Sequence, residues 1–177
     1  MTPDRDQRIL EAASEVFTRH GLRAARMEAI AREAGVAKAT LYSRYPDKET
    51  LFKAVSAAAV ASFRAAYAQA LDQPGTPSQR VVGAITAKYQ AIARLLGDSP
   101  HGQEILAEHM RLCPEEHQAL TGWFNAEIAR MLAAEGRADA EELARVVTAA
   151  VDGVKQAFPR VEDFTRILPG VVGKLLA

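Results

Sequence analysis

Lys38, Thr40, Ser43 and Arg44 fall in one short segment, AKATLYSRY, that closely follows a glycine, Gly35. An ammonium, a guanidinium and two hydroxyls on one small helix are donors suited to phosphate oxygens and base edges. Lys38, Ala39 and Thr40 open the segment. Lys38 suits a guanine, and Thr40 a base or a phosphate. Ser43 and Arg44 fall on its exposed side. A second chemistry is suggested by His109, Cys113 and His117, which recur every fourth residue with His101, Glu104 and Glu108 nearby. On one straight helix such a set can hold a metal ion, but Pro114 breaks the helix between the second and third ligands. Catalytic signatures are missing. There is no Gly-x-Ser-x-Gly, no Walker loop and no His-Glu-x-x-His, so the chain reads as a non-enzyme with no cofactor.

The donors at Lys38–Arg44 need elements to hold them. Ile9, Ala12, Ala13, Val16 and Phe17 recur at helical spacing and predict a first helix from about Asp4 to His20, begun by Thr2 and Pro3 and ended by Gly21. A second helix is predicted over Met27–Ala34 and a third over Ala37–Ser43. The stretch MEAIAREAGVAKATLYSRY, Met27–Tyr45, has the offsets of a helix-turn-helix. Ala31 allows a close crossing, Gly35 allows positive φ in the turn, and Val36 plugs the angle. Ile30, Ala34 and Leu41 form the small core beneath. After Pro46, Asp47 caps a long fourth helix that runs to about Asp72.

Helix one, the Gly21 break, this turn and then Thr40-Leu41-Tyr42, Tyr45-Pro46, Lys48-Glu49 and Leu51-Phe52 together resemble the N-terminal domain of the TetR family of bacterial repressors. The resemblance covers about residues 5–55. It implies a three-helix DNA-binding domain over residues 1–46, followed by a helical effector-binding and dimerisation domain over residues 47–177. It also implies that Tyr42 and Lys48 contact the phosphate backbone and that Tyr45 packs beneath the recognition helix. The sequence departs from the family at Ala25, Arg26 and Ala37, where the family has hydroxyl caps. Arg26 is the substitute phosphate contact. The candidate DNA-binding set is therefore Arg26, Lys38, Ala39, Thr40, Tyr42, Ser43, Arg44 and Lys48.

Charge agrees with a basic head on a neutral body. Between Arg19 and Lys48 seven cations (Arg19, Arg23, Arg26, Arg32, Lys38, Arg44, Lys48) face three acids (Glu28, Glu33, Asp47), although the whole chain is neutral. The one cysteine, Cys113, makes no internal disulfide, which suits a reducing cytoplasm. Thr2-Pro3-Asp4-Arg5 has no apolar run behind it and predicts no signal peptide. The longest apolar stretch, Ala54–Phe63, is too short to span a bilayer, so no membrane partner is expected.

Beyond the break at Gln73-Pro74-Gly75-Thr76-Pro77, helices are predicted over Ser78–Leu96, Gly102–Leu112, Glu115–Glu135, Ala140–Phe158 and Val161–Leu176. Gly97-Asp98-Ser99-Pro100, Cys113-Pro114, Gly136 and Pro159 divide them, and Pro169-Gly170 should kink or split the last. The fold class is all-α. Phe63, Tyr67, Tyr89, Ile92, Met110, Trp123 and Phe124 are the candidate lining of an apolar pocket. No charge stands out among them as an anchor. Two apolar stripes, with Leu143, Val147 and Val151 on one and Phe164, Ile167 and Val171 on the other, are the candidate dimer interface. These readings combine into a homodimeric transcription regulator on double-stranded operator DNA, a repressor released by a small apolar effector. The alternative is a metal-sensing regulator using His109, Cys113 and His117.

Overall fold

The computed structural model describes residues 4–97, 99–158 and 160–177. Thr2 and Pro3, expected to start the first helix, and Asp98 and Pro159, expected in breaks, lie outside the described residues. Among the described residues there are nine helices and no strand: α1 Arg5–Ala24, α2 Met27–Glu33, α3 Lys38–Arg44, α4 Lys48–Leu71, α5 Pro77–Leu96, α6 Gly102–Leu112, α7 Pro114–Ala134, α8 Ala140–Ala157 and α9 Val161–Leu176. The all-α expectation holds. None of these helices is long and apolar enough to cross a membrane. They divide into two compact units, Met1–Ala61 with Leu96–His117, and Ser62–Leu95 with Gln118–Ala177. The chain crosses between these units three times, at 61/62, 95/96 and 117/118. The reason is that α6, far along the sequence, packs on α1.

In the first unit Ile9, Ala13, Val16 and Phe17 of α1 meet Ile30, Leu41, Leu51 and Phe52, with Ile105 and Leu112 of α6 against them. Leu41 is 0% exposed, and truncating such a leucine to alanine costs about 2–5 kcal/mol. The helix α1 does not stop at His20. It continues to Ala24 across a kink at Gly21, whose φ of +73° and ψ of 163° interrupt the helical ladder. The carboxylate of Glu104 on α6 fills the space beside this glycine and accepts the Arg23 N–H at 3.1 Å. Asp47 caps α4 as the sequence suggests, accepting the Thr50 N–H at 2.7 Å.

In the second unit α7 offers Phe124, Ile128 and Met131 from one face, and α9 offers Phe164, Leu168, Val172 and Leu176 at every fourth position. Thr76 and Gln79 start α5 with a reciprocal pair. The Gln79 N–H reaches the Thr76 hydroxyl at 3.2 Å, and the Gln79 carboxamide accepts the Thr76 N–H at 2.9 Å. This is a capping box with Pro77 at the first helical position, where its missing N–H costs nothing. The helix α9 remains one helix through Pro169 rather than splitting there.

Candidate functional site

The turn between α2 and α3 is built from its backbone outward. Gly35 takes φ +64°. Its N–H donates to the Arg32 carbonyl at 3.2 Å, and the Val36 N–H reaches back to the Ala31 carbonyl at 3.0 Å. These are the two bonds of a Schellman cap, which needs a residue tolerant of positive φ just past the helix end. Ala31 is buried at the crossing, and Val36 is half-buried against the core. The result fixes α3 against α2 with its outer face in solvent.

That face carries the expected residues. Lys38, Ala39, Ser43 and Arg44 are exposed, Thr40 is half-buried, and the Tyr42 ring is 41% exposed. The Ser43 hydroxyl donates to the Thr40 carbonyl at 2.9 Å. Lys38 pairs with Glu28 of α2 at 3.0 Å. The Lys38 ammonium beside it holds the Glu28 carboxyl below its ordinary range. Arg44 pairs with Asp6 of α1, and Arg19 of α1 with Glu33 of α2 at 3.4 Å. Each pair of the three short helices thus shares a surface ion pair. Such exposed pairs add little stability and exchange readily for another anion. Tyr45 packs partly buried beneath the recognition helix, as expected.

Lys48, expected at a phosphate, also has partners within the chain. Its ammonium donates to the carbonyls of Arg23 at 2.8 Å and Ala25 at 3.0 Å, capping the chain where it leaves α1. The residue is half-buried. Arg26, at the start of α2, is exposed, and its guanidinium has no hydrogen bond or ion pair among the described residues. Neither Arg26 nor Ala37 supplies a side-chain cap to the helix it precedes. Sequence reasoning missed Glu28 and Asp6, the acids that face the recognition helix. It also missed the bridge on α6, where Arg111 links Glu108 at 2.6 Å to Glu49 of α4 at 2.9 Å.

The second unit gathers most of the expected pocket residues. Tyr67 meets Phe124 at 4.7 Å and Trp123 at 5.6 Å between ring centroids, and Trp123 meets Phe124 at 5.1 Å. Tyr89 stacks edge-on against Phe164 at 4.5 Å. Phe63 and Ile92 are half-buried in the same unit. Met110 is a correction. It lies on α6 in the first unit and is 53% exposed, because the buried face of that helix belongs to Ile105 and Leu112. A cleft of about 550 Å³ opens elsewhere in the second unit, among Thr76, Gln79, Val82, Glu135, Arg137 and Gly173, and contains none of the expected aromatics.

One residue in this unit had not been singled out. The Lys88 ammonium sits 3.9 Å from the Phe124 ring centroid and 4.8 Å from that of Tyr89. Burial pushes its pKa down to about 8, helped by Lys155. Ring faces return about 0.5–2 kcal/mol each to a cation, less than the several kcal/mol that desolvating an ammonium costs. Its signal in the sequence is position: Ile85, Lys88, Tyr89 and Ile92 share one helical stripe, so a lysine stands where an apolar residue is expected.

The dimer stripes are divided by the structure. Val147, Val151 and Phe164 are at most 5% exposed and belong to the chain's own core. They are corrected from interface to core, since α8 and α9 turn these positions toward each other and toward α5 and α7. Leu143, Ile167 and Val171 remain half-buried, and Val146 is 44% exposed. The metal corner is corrected as well. Cys113 is buried at the end of α6, where burial raises its thiol pKa, and the His109 and His117 rings meet edge to face at 5.6 Å. Among the described residues no three His, Cys, Asp or Glu side chains converge on a metal-binding geometry.

Residues 9–55 match the family of bacterial regulatory proteins described as the tetR family. The N-terminal helix-turn-helix domain belongs to the TetR family. The chain is 44% identical over 52 residues to an uncharacterised HTH-type transcriptional regulator, YhgD, of Bacillus subtilis. It is 38% identical over 91 residues to the HTH-type transcriptional activator FasR of Mycolicibacterium smegmatis. These matches cover 29% and 50% of the chain but only 27% and 42% of those curated relatives. Solved structures share the fold across nearly the whole chain. A transcriptional regulator from Cytophaga hutchinsonii is similar with a TM-score of 0.78 at 21% identity, covering 95% of this chain and 94% of that one. The fatty acid degradation regulator FadR of Bacillus halodurans is similar with a TM-score of 0.72 at 18% identity, covering 100% and 97%.

Proposed function

We propose that the chain is a cytoplasmic, homodimeric transcription regulator that binds double-stranded operator DNA through α3 and acts as a repressor released by a small, largely apolar effector. The carrying observation is the Schellman turn at Gly35, which presents Lys38, Ala39, Thr40, Tyr42, Ser43 and Arg44 on one solvent-facing helix. A helix of this kind inserts into the major groove, with its first residues toward base edges. Arg26 is the cation free to take a phosphate. The family match over residues 9–55 supports the same reading. The half-buried Leu143, Ile167 and Val171, with Val146, are the surface by which two copies would pair. The effector would enter the aromatic cluster of the second unit. By linkage, an effector that weakens DNA binding tenfold binds the DNA complex tenfold more weakly.

The test is fluorescence anisotropy against duplex DNA from regions flanking the gene, across a salt series. Affinity should fall steeply with salt, and Arg26→Ala should reduce the log–log slope by about one. Lys38→Ala and Thr40→Ala should change the preferred sequence rather than the slope. Affinity that ignores salt, with no preference among the flanking fragments, would reject DNA binding. A reporter fused to the bound fragment that rises when the protein is removed supports repression, and one that falls rejects it.

A further inference from the structure

Two polar groups of the second unit are left without partners at the same aromatic ring. The Tyr67 hydroxyl is buried and has no hydrogen-bond partner, while the Tyr67 ring packs on Phe124 at 4.7 Å. The Lys88 ammonium lies 3.9 Å from the centroid of that same Phe124 and has no hydrogen bond or ion pair among the described residues. The charges facing Lys88 from α8 do not satisfy it. Asp152 pairs with Lys155 at 3.9 Å, and the Lys155 ammonium itself stands 5.9 Å from the Tyr89 ring. On the Trp123 side of the cluster Arg64 covers the ring at 4.5 Å, again with no acid paired to it among the described residues. Tyr67 faces Glu127 and Arg130 of α7, which pair with each other at 2.6 Å, while beside Phe124 and Tyr89 the two cations Lys88 and Lys155 outnumber the one acid, Asp152.

A buried O–H donor such as that of Tyr67 is usually satisfied by an acceptor. A half-buried ammonium and a phenol that share Phe124 as a neighbour suit a carboxylate, which can accept from both. The surrounding rings of Trp123, Phe124 and Tyr89 fit an apolar chain. We propose that Lys88 and Tyr67 form the anion-binding end of the effector site, which takes the carboxylate of an aliphatic acid whose chain lies on the aromatic cluster. This deepens the effector reading above and rests on it. The ring faces hold the ammonium in place until the anion replaces water around it.

The sole tryptophan, Trp123, belongs to the cluster and reports on it directly. Octanoate and 1-octanol, equal in chain length and different in charge, are titrated against its fluorescence. The acid should bind at least tenfold more tightly than the alcohol. Lys88→Met should bring the two affinities within about twofold, and Tyr67→Phe should weaken octanoate severalfold while leaving octanol unchanged. Equal affinities in the unmodified protein, or a preference for the acid that survives Lys88→Met, would overturn the proposal. Circular dichroism of each variant separates a lost site from a lost fold, and the comparison within the unmodified protein stands without either variant. DNA affinity is followed in the same samples. Octanoate binding that leaves DNA affinity unchanged would overturn the effector reading and keep the anion site. Parity of acid and alcohol with DNA binding intact would overturn the anion site alone.

Discussion

The ammonium of Lys38, in the first turn of the recognition helix, lies 3.0 Å from the carboxylate of Glu28 on the helix before it. A residue proposed to read DNA is therefore already engaged with an acid of its own domain. On that proposal, binding DNA exchanges the acid for a base or a phosphate, and the exchange sets part of the affinity.

Removing the competitor should strengthen DNA binding. Glu28→Gln is expected to raise operator affinity about twofold to fivefold at low salt, the range of an exposed ion pair. The gain should disappear in a Lys38→Ala background. Anisotropy titrations of the four proteins form a double-mutant cycle, and additive effects would show that the pair does not restrain Lys38.

The two glycines that bracket α2 should differ in their tolerance of alanine. At Gly35 an added Cβ meets nothing nearer than the Arg8 guanidinium at 4.0 Å, so only the positive φ is penalised. Gly35→Ala should cost about 1–2 kcal/mol and lower the unfolding temperature by a few degrees. At Gly21 the φ is also positive, and the Cβ would run into the Glu104 carboxylate. Gly21→Ala should cost more, and Glu104→Ala in the same chain should recover part of the loss. Calorimetry that finds the two single variants equal would remove the role given to Glu104.

These two sites also mark what was legible from sequence. Gly35, Val36 and Leu41 are read together because the Schellman turn is local, closed by backbone bonds spanning a few residues. The bond from the Arg23 N–H to Glu104 joins groups 81 residues apart. No periodicity within α1 or α6 encodes it. The same limit explains Lys48. A lysine after Pro46 reads as a free cation until the carbonyls of Arg23 and Ala25 are folded against it. Apolar stripes suffer from a related ambiguity, since Val147 and Ile167 obey the same spacing whether a neighbour in the chain or a second copy covers them.

Burial makes Lys88 a pH-dependent residue. Its pKa is about 8 in the folded chain, below the ordinary lysine value of 10.5. Between those values the unfolded chain binds more protons than the folded one, so stability rises with pH. The rise should begin near pH 8 and persist until the unfolded tyrosines start to ionise, since burial holds Tyr67 and Tyr89 protonated in the folded state. Asp152 and Lys155, the charges facing Lys88 from α8, remain in the Lys88→Met variant. That variant should be the more stable at pH 7 and should lack the rise. Urea midpoints measured between about pH 7 and pH 9.5 would contradict this if both proteins traced the same curve.

Interface and core positions on α8 and α9 should separate cleanly. Val147 is 0% exposed, and Val147→Glu buries an unpaired charge and should unfold the second unit. Ile167 is half-buried, and Ile167→Glu should leave the fold intact while converting a dimer to a monomer. Sedimentation and circular dichroism together decide the matter. A folded, still dimeric Ile167→Glu protein would move the interface elsewhere.

The packing of α6 on α1 has a consequence for synthesis. The unit that carries the recognition helix draws its last segment, Leu96–His117, from well beyond the middle of the chain. As the protein emerges from the ribosome, the turn at Gly35 can form early, but the acid beside Gly21 and the leucine that closes the core arrive only after α4 and α5 have been made. The head of the molecule is thus completed by its own body, and the chain must wait for more than half its length before that unit can close.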